Sequence, residues 1–120
     1  TFPRAPMQQA ISIIPQAEKL AEQNKMSIAY FGEGGNYVHM LTGIKSVNIF
    51  NSPLDMFQSD ASVRLSCQHL IDSKVNLLVL TDSARMTFAW KDGSLCDGYY
   101  KFAPDNKYLA VRQKWTRRVI

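Results

Sequence analysis

Residues 85–91 read Arg-Met-Thr-Phe-Ala-Trp-Lys, residues 92–93 are Asp-Gly, and residues 94–102 read Ser-Leu-Cys-Asp-Gly-Tyr-Tyr-Lys-Phe. Asp-Gly between two alternating runs predicts a β-hairpin, because a two-residue type I′ turn needs positive φ at both central positions. Counting out from that turn sets Lys91 opposite Ser94, Trp90 opposite Leu95, Phe88 opposite Asp97 and Met86 opposite Tyr99. Pro104-Asp105-Asn106 then predicts a three-residue turn into a last strand over 107–115, since Pro presets the first turn position and Asn supplies the left-handed one. That register sets Ala103 opposite Lys107, Tyr99 opposite Val111 and Leu95 opposite Trp115.

Residues paired across strands project from the same side of a sheet. One face therefore collects Met86, Phe88, Trp90, Leu95, Tyr99, Leu109, Val111 and Trp115, and is the expected core face. The other collects Thr87, Ala89, Cys96, Gly98, Tyr100, Phe102, Tyr108, Ala110 and Arg112, which is too aromatic for ordinary solvent surface. Two explanations stand. Another element of the same chain covers this second face, as in a three-layer domain, or it contacts a partner or ligand, aromatic residues with an Arg being the composition of binding hot spots. Asp97 faces Gln113 among the core residues and is the sheet carboxylate whose chemistry matters most, because a buried carboxylate needs a donor or a raised pKa.

The chain has 120 residues, 46% hydrophobic and 20% charged, with a formal net charge of +4. That length suits one domain with a core of its own, and the composition excludes disorder as the main state. Residues 1–6 read as an extended lead-in and 7–120 as a single α+β domain. No run approaches the roughly 18 to 20 apolar residues of a membrane span. The start at Thr1 and the stop at Val119-Ile120 read as a domain cut from something longer.

Residues 7–24 favour helix, with Pro15 either kinking it or opening a shorter one. Residues 26–31 read as a strand, 32–36 (Gly-Glu-Gly-Gly-Asn) as a hairpin turn, and 37–41 as a returning strand. The glycines suggest a phosphate cradle, but such a loop works by opening a helix, and Tyr-Val-His-Met-Leu reads as strand. Residues 42–50 carry a short third strand. A single helical turn follows around 54–57. Ser59 or Asp60 caps a helix running to about Lys74, with Val63, Cys67, Leu70 and Ile71 on its apolar side. Leu77-Leu78-Val79-Leu80 is what a strand buried on both faces looks like, and it supports the three-layer explanation.

Cys67 and Cys96 offer a geometric test. A disulfide needs the two α-carbons within about 7 Å, which requires the 60–74 helix to pack on the Tyr100 face. Small buried cysteines are common core fillers, so free thiols are expected, and with them a cytoplasmic setting. No metal site is expected, because His69 and Cys67 are two positions apart on a helix and point to nearly opposite sides. No cofactor is expected either.

The order of helix, two or three strands, helix, then a meander resembles the layout of profilin-like, roadblock-like and PAS-like domains. That resemblance implies an antiparallel sheet of about five or six strands with two helices packed on it, and many such domains bind proteins or small ligands without catalysis. The expected function is accordingly a non-catalytic protein- or ligand-binding domain, a sensor or assembly module, using an aromatic sheet face or edge through Tyr100, Phe102, Tyr108, Arg112 and Asp97. Its expected partner is a protein or a second copy of the chain, with a small apolar ligand as an alternative. The main competitor is single-stranded nucleic-acid binding by the basic, aromatic C-terminal strand and tail, through Lys114, Trp115, Arg117 and Arg118. A small enzyme without a local motif, built around Asp97 or Asp82, is the third possibility.

Overall fold

A computed structural model of the chain describes residues 5–47, 60–88, 94–96 and 98–113. In order, the elements are α1 (Ala5–Gln23), β1 (Ile28–Phe31), α2 (Gly35–Thr42), α3 (Asp60–Ser73), β2 (Leu77–Leu80), α4 (Asp82–Phe88), β3 (Ser94–Leu95), β4 (Tyr100–Ala103) and β5 (Asn106–Arg112). The strands form one α+β sheet in the order β1-β2-β5-β4-β3. It is mixed rather than antiparallel, because β1 runs parallel to β2 while the other pairs are antiparallel. Beyond β1, Ser46 makes a single parallel bridge to Tyr30, a trace of the third strand expected over 42–50.

Register sorts the side chains onto two buried faces. Ala29, Phe31, Leu78, Leu80, Ala110 and Tyr100 lie in one cluster with Cys67 and Leu70 of α3 and Ala84 and Phe88 of α4. Tyr30, Leu77, Val79 and Leu109 lie in the other, with Ala10, Ile14, Ala17 and Ala21 of α1 and Val38 of α2. Three layers result, helices on each side of the sheet, which is the arrangement that the uninterrupted apolar run of β2 demands. All four β2 residues are buried. The α1 residues recur at helical spacing of three and four, and Pro15 lies within the one continuous helix rather than opening a shorter one.

Three local readings change. Residues 85–91 do not begin as a strand: Arg85 to Phe88 end α4, a helix that Thr81 opens by accepting the Ala84 amide through its hydroxyl at 3.2 Å. Ala84 and Phe88 are four apart, so the alternation of Met86 and Phe88 was half of a helical period; Met86 points outward, 80% exposed. Residues 37–41 are also helix. Gly43, at φ +80°, is in the left-handed region that ends α2, donating its amide to the His39 carbonyl at 2.8 Å, as a glycine C-cap does. Residues 94–102 do not form one strand, since Leu95 pairs with Tyr100 across a turn in which Cys96 itself has φ 53°. The Asp92-Gly93 turn, Trp90 and the helical turn at 54–57 lie outside the described residues.

The β4–β5 register is displaced from the expected one, with Tyr100 opposite Arg112, Lys101 opposite Val111 and Phe102 opposite Ala110, then an irregularity to Ala103 opposite Asn106. The displacement, by two residues, keeps Tyr100, Phe102, Ala110 and Arg112 on the expected shared face, whereas Leu95, expected on the opposite face, pairs with Tyr100 and lies in its cluster. Tyr100 and Phe102 therefore do lie together, and α3 covers them. The covering brings Cys67 and Cys96 to a Cα–Cα distance of 5.4 Å in a disulfide. The expectation of free thiols is thus overturned, and the cytoplasmic setting loses the ground on which it was drawn, because disulfides persist mainly in oxidising compartments.

The two tyrosines at the centre of the two clusters set an alkaline limit on stability. Burial, and secondarily the Glu33 carboxylate, hold the Tyr30 hydroxyl well above its ordinary value of 10.0. Burial likewise raises Tyr100, partly offset by Arg112. Both stay neutral in the folded chain where they would ionise in the unfolded one. Their contribution is complete below pH 10 and is lost as pH rises from there toward the folded values. Stability measured by urea unfolding is expected to fall above pH 10, and less steeply in Tyr30→Phe. An identical slope in that variant would assign the alkaline loss to other groups.

Candidate functional site at the carboxyl ends of β1 and β2

The residues expected to form a binding face turn inward. Tyr100 is completely buried, and its hydroxyl donates to the Val75 carbonyl at 2.7 Å. Arg112 donates from Nη1 to the Ile71 carbonyl at 2.9 Å, with its guanidinium 5.7 Å from the Tyr99 ring and 5.8 Å from that of Tyr100. Phe102 is partly buried beneath the Arg85 guanidinium, 4.9 Å from its ring centre. Tyr108 departs from this group, its hydroxyl meeting the Gln9 side chain of α1. Asp97, Lys114, Trp115, Arg117 and Arg118 lie outside the described residues.

A different set of polar groups converges where the two parallel strands end. β1 pairs with β2 as far as Phe31 opposite Leu80, so Gly32 and Thr81 follow side by side. They approach so closely that a Cβ on Gly32 would come 2.8 Å from the Thr81 Oγ1 and 3.0 Å from the Tyr30 hydroxyl, which leaves glycine as the residue that fits. From this point the chain diverges. After β1 it enters α2 on the α1 side of the sheet, and after β2 it enters α4 on the α3 side. Adjacent parallel strands whose connections leave to opposite faces open a crevice at their carboxyl ends, the usual seat of ligands in open sheets with helices on both sides.

Glu33 is the unusual residue there. It is 6% exposed, and its Oε1 is buried with no hydrogen-bond partner. Its backbone carbonyl accepts the Tyr30 hydroxyl at 2.5 Å. The carboxylate also acts on that hydroxyl electrostatically, so it shares the space above the strand ends. It does not cap α2, whose N-cap is Gly34 at φ 68° without a side-chain bond. On the far side of β2, Asp82 holds the Lys107 ammonium at 3.3 Å, an interaction that raises the lysine's pKa, first through the hydrogen bond to Asp82. Unlike Glu33, Asp82 has its cation.

The sequence offers Asp82 only as a possible centre of a small enzyme and the glycine loop only as a hairpin turn, and it does not single out Glu33, Tyr30 or Thr81. The signal that would have found them is Gly-Glu-Gly-Gly after an apolar strand, with Gly43 closing an eight-residue helix. Among the described residues no three His, Cys, Asp or Glu side chains gather in a way that could hold a metal ion, and no helix is long and apolar enough to cross a membrane. Comparison of the chain with protein-family models, with curated proteins and with solved structures finds no match.

Proposed function

We propose that this chain is a binding domain rather than a catalyst, and that it takes a small polar ligand in the crevice at the carboxyl ends of β1 and β2. The observation that carries this reading is Glu33 Oε1, buried and without a partner. Leaving a buried charged acceptor unpaired costs the fold free energy, on the order of 1–3 kcal/mol or more. A ligand that supplies the donor removes that cost on binding. The aromatic sheet face is no longer the recognition surface in this reading, because α3 and the Cys67–Cys96 disulfide cover it.

A second reading, contact with a protein, has its own support. Tyr37, Met40 and Leu41 recur at spacings of three and one on α2 and are 39%, 85% and 57% exposed. Exposed apolar clusters of this kind mark interaction surfaces. Nucleic-acid binding has less support among the described residues, since Lys107 is paired with Asp82 and Arg112 is turned onto Ile71 and two tyrosine rings, while Lys114, Trp115, Arg117 and Arg118 lie outside them.

The test is a two-dimensional amide NMR screen of the chain against a set of small polar fragments. The crevice reading expects saturable shifts at residues 32–37 and 81–84. Shifts confined to residues 37–41 on changing the protein concentration alone, with no fragment perturbing the loop, would replace it with the protein-contact reading.

A further inference from the structure

Resting on that reading, we infer that the ligand carries a protonated amine and that Glu33 is the group that receives it. The start of α2 would by itself favour an anion, since the amides of its first turn have no acceptor within the helix and Gly34 adds no side-chain cap. A helix N-terminus is equivalent to about half a positive charge. Glu33 sets a whole negative charge beside it, so an anion entering the crevice meets net repulsion and a cation meets net attraction. The helix terminus is thereby offset by the carboxylate rather than left to receive an anion.

Two cations of neighbouring elements have contacts of their own: Lys107 sits on Asp82, with its ammonium 5.1 Å from the Tyr108 ring centre, and Arg85 lies over Phe102, its Nε buried without a hydrogen-bond partner. Tyr30 directs its hydroxyl proton to the Glu33 backbone carbonyl rather than to the carboxylate. Thr81 uses its hydroxyl oxygen to accept the Ala84 amide. Glu33 Oε1 is thus left as a buried acceptor without a donor. A metal ion is the poorer occupant, because among the described residues no three His, Cys, Asp or Glu side chains gather to hold one. The pairing of Asp82 with Lys107 is the same chemistry met within the chain, a primary ammonium on a carboxylate at this end of the sheet.

The experiment uses three probes of one skeleton, n-butylamine, n-butanol and butyrate, each titrated to tens of millimolar into the wild-type chain and into Glu33→Gln, with amide shifts at residues 32–37 and 81–84 as the readout. Glutamine keeps the size and one acceptor oxygen and removes the charge. The inference expects saturable shifts from the amine, weakened roughly tenfold or more in Glu33→Gln, and little response to the other two. Equal response to amine and alcohol, unchanged in the variant, overturns the amine while leaving the crevice as the binding site. Response to butyrate alone assigns the site to an anion at the start of α2 and overturns it as well. If none of the three perturbs these amides although polar fragments of other chemistry do, the amine is again wrong; if no compound of any class perturbs them, the crevice reading itself fails.

Discussion

Breaking the Cys67–Cys96 disulfide lowers the midpoint of thermal unfolding by about 14 °C. The bond joins α3 to the turn after β3 across 29 residues, and closing a loop of that length removes unfolded-state entropy worth about 3–4 kcal/mol. Dividing by an unfolding entropy near 0.25 kcal/mol/K, from about 2.1 cal/mol/K per residue, gives that shift. The bond also holds α3 over Tyr100, Ala110 and Phe102, so its loss frees the layer that keeps the aromatic face dry. Calorimetry on the oxidised chain and on a Cys67→Ser/Cys96→Ser double variant checks the shift, and thiol titration of the denatured oxidised chain should find none. Two titratable thiols together with an unshifted midpoint would remove the disulfide and, with it, the reason to seat α3 on this face.

The parts of the fold legible in the sequence were those with redundant signals. Leu77-Leu78-Val79-Leu80 announced a strand needing cover on both sides, and it lies within the sheet between β1 and β5. The helix from Asp60 carried its apolar stripe at helical spacing, and Tyr100, Phe102, Ala110 and Arg112 share a face because the register moves by two. What failed were short runs in which strand and helix periods coincide. Met86 and Phe88 fit alternation, but Ala84 and Phe88 fit a helix equally well, and Thr81 as a cap decided the matter. Tyr-Val-His-Met-Leu likewise has no decisive period in five residues; Gly43 after it was the better guide. Read as strand, that run makes the loop before it a hairpin turn and hides the parallel pairing of β1 with β2. Parallel partners here are separated by 49 positions, Ile28 to Leu77, a distance over which local patterns carry no information.

Removing the Glu33 carboxylate is expected to make the empty protein more stable. An unpaired buried charge is a burden in the absence of its partner, and replacing even a paired buried ion pair by apolar side chains of similar volume is often neutral or stabilising by about 1–4 kcal/mol. Methionine matches glutamate in length and offers no group that needs a donor. Against the gain stands the loss of a favourable charge at the start of α2, worth about 0.3–1 kcal/mol. The larger effect wins, and stability bought at the expense of a site is the usual signature of a residue kept for binding.

Whether Glu33 is held for a ligand or for the architecture is therefore best decided by the thermal midpoint of Glu33→Met at neutral pH with no ligand present. A net gain of about 2 kcal/mol corresponds to a rise of about 8 °C in a chain of this size, and that rise is the predicted result. A fall of similar size would mean that the carboxylate already has its partners within the folded chain, and would contradict a binding site at the ends of β1 and β2.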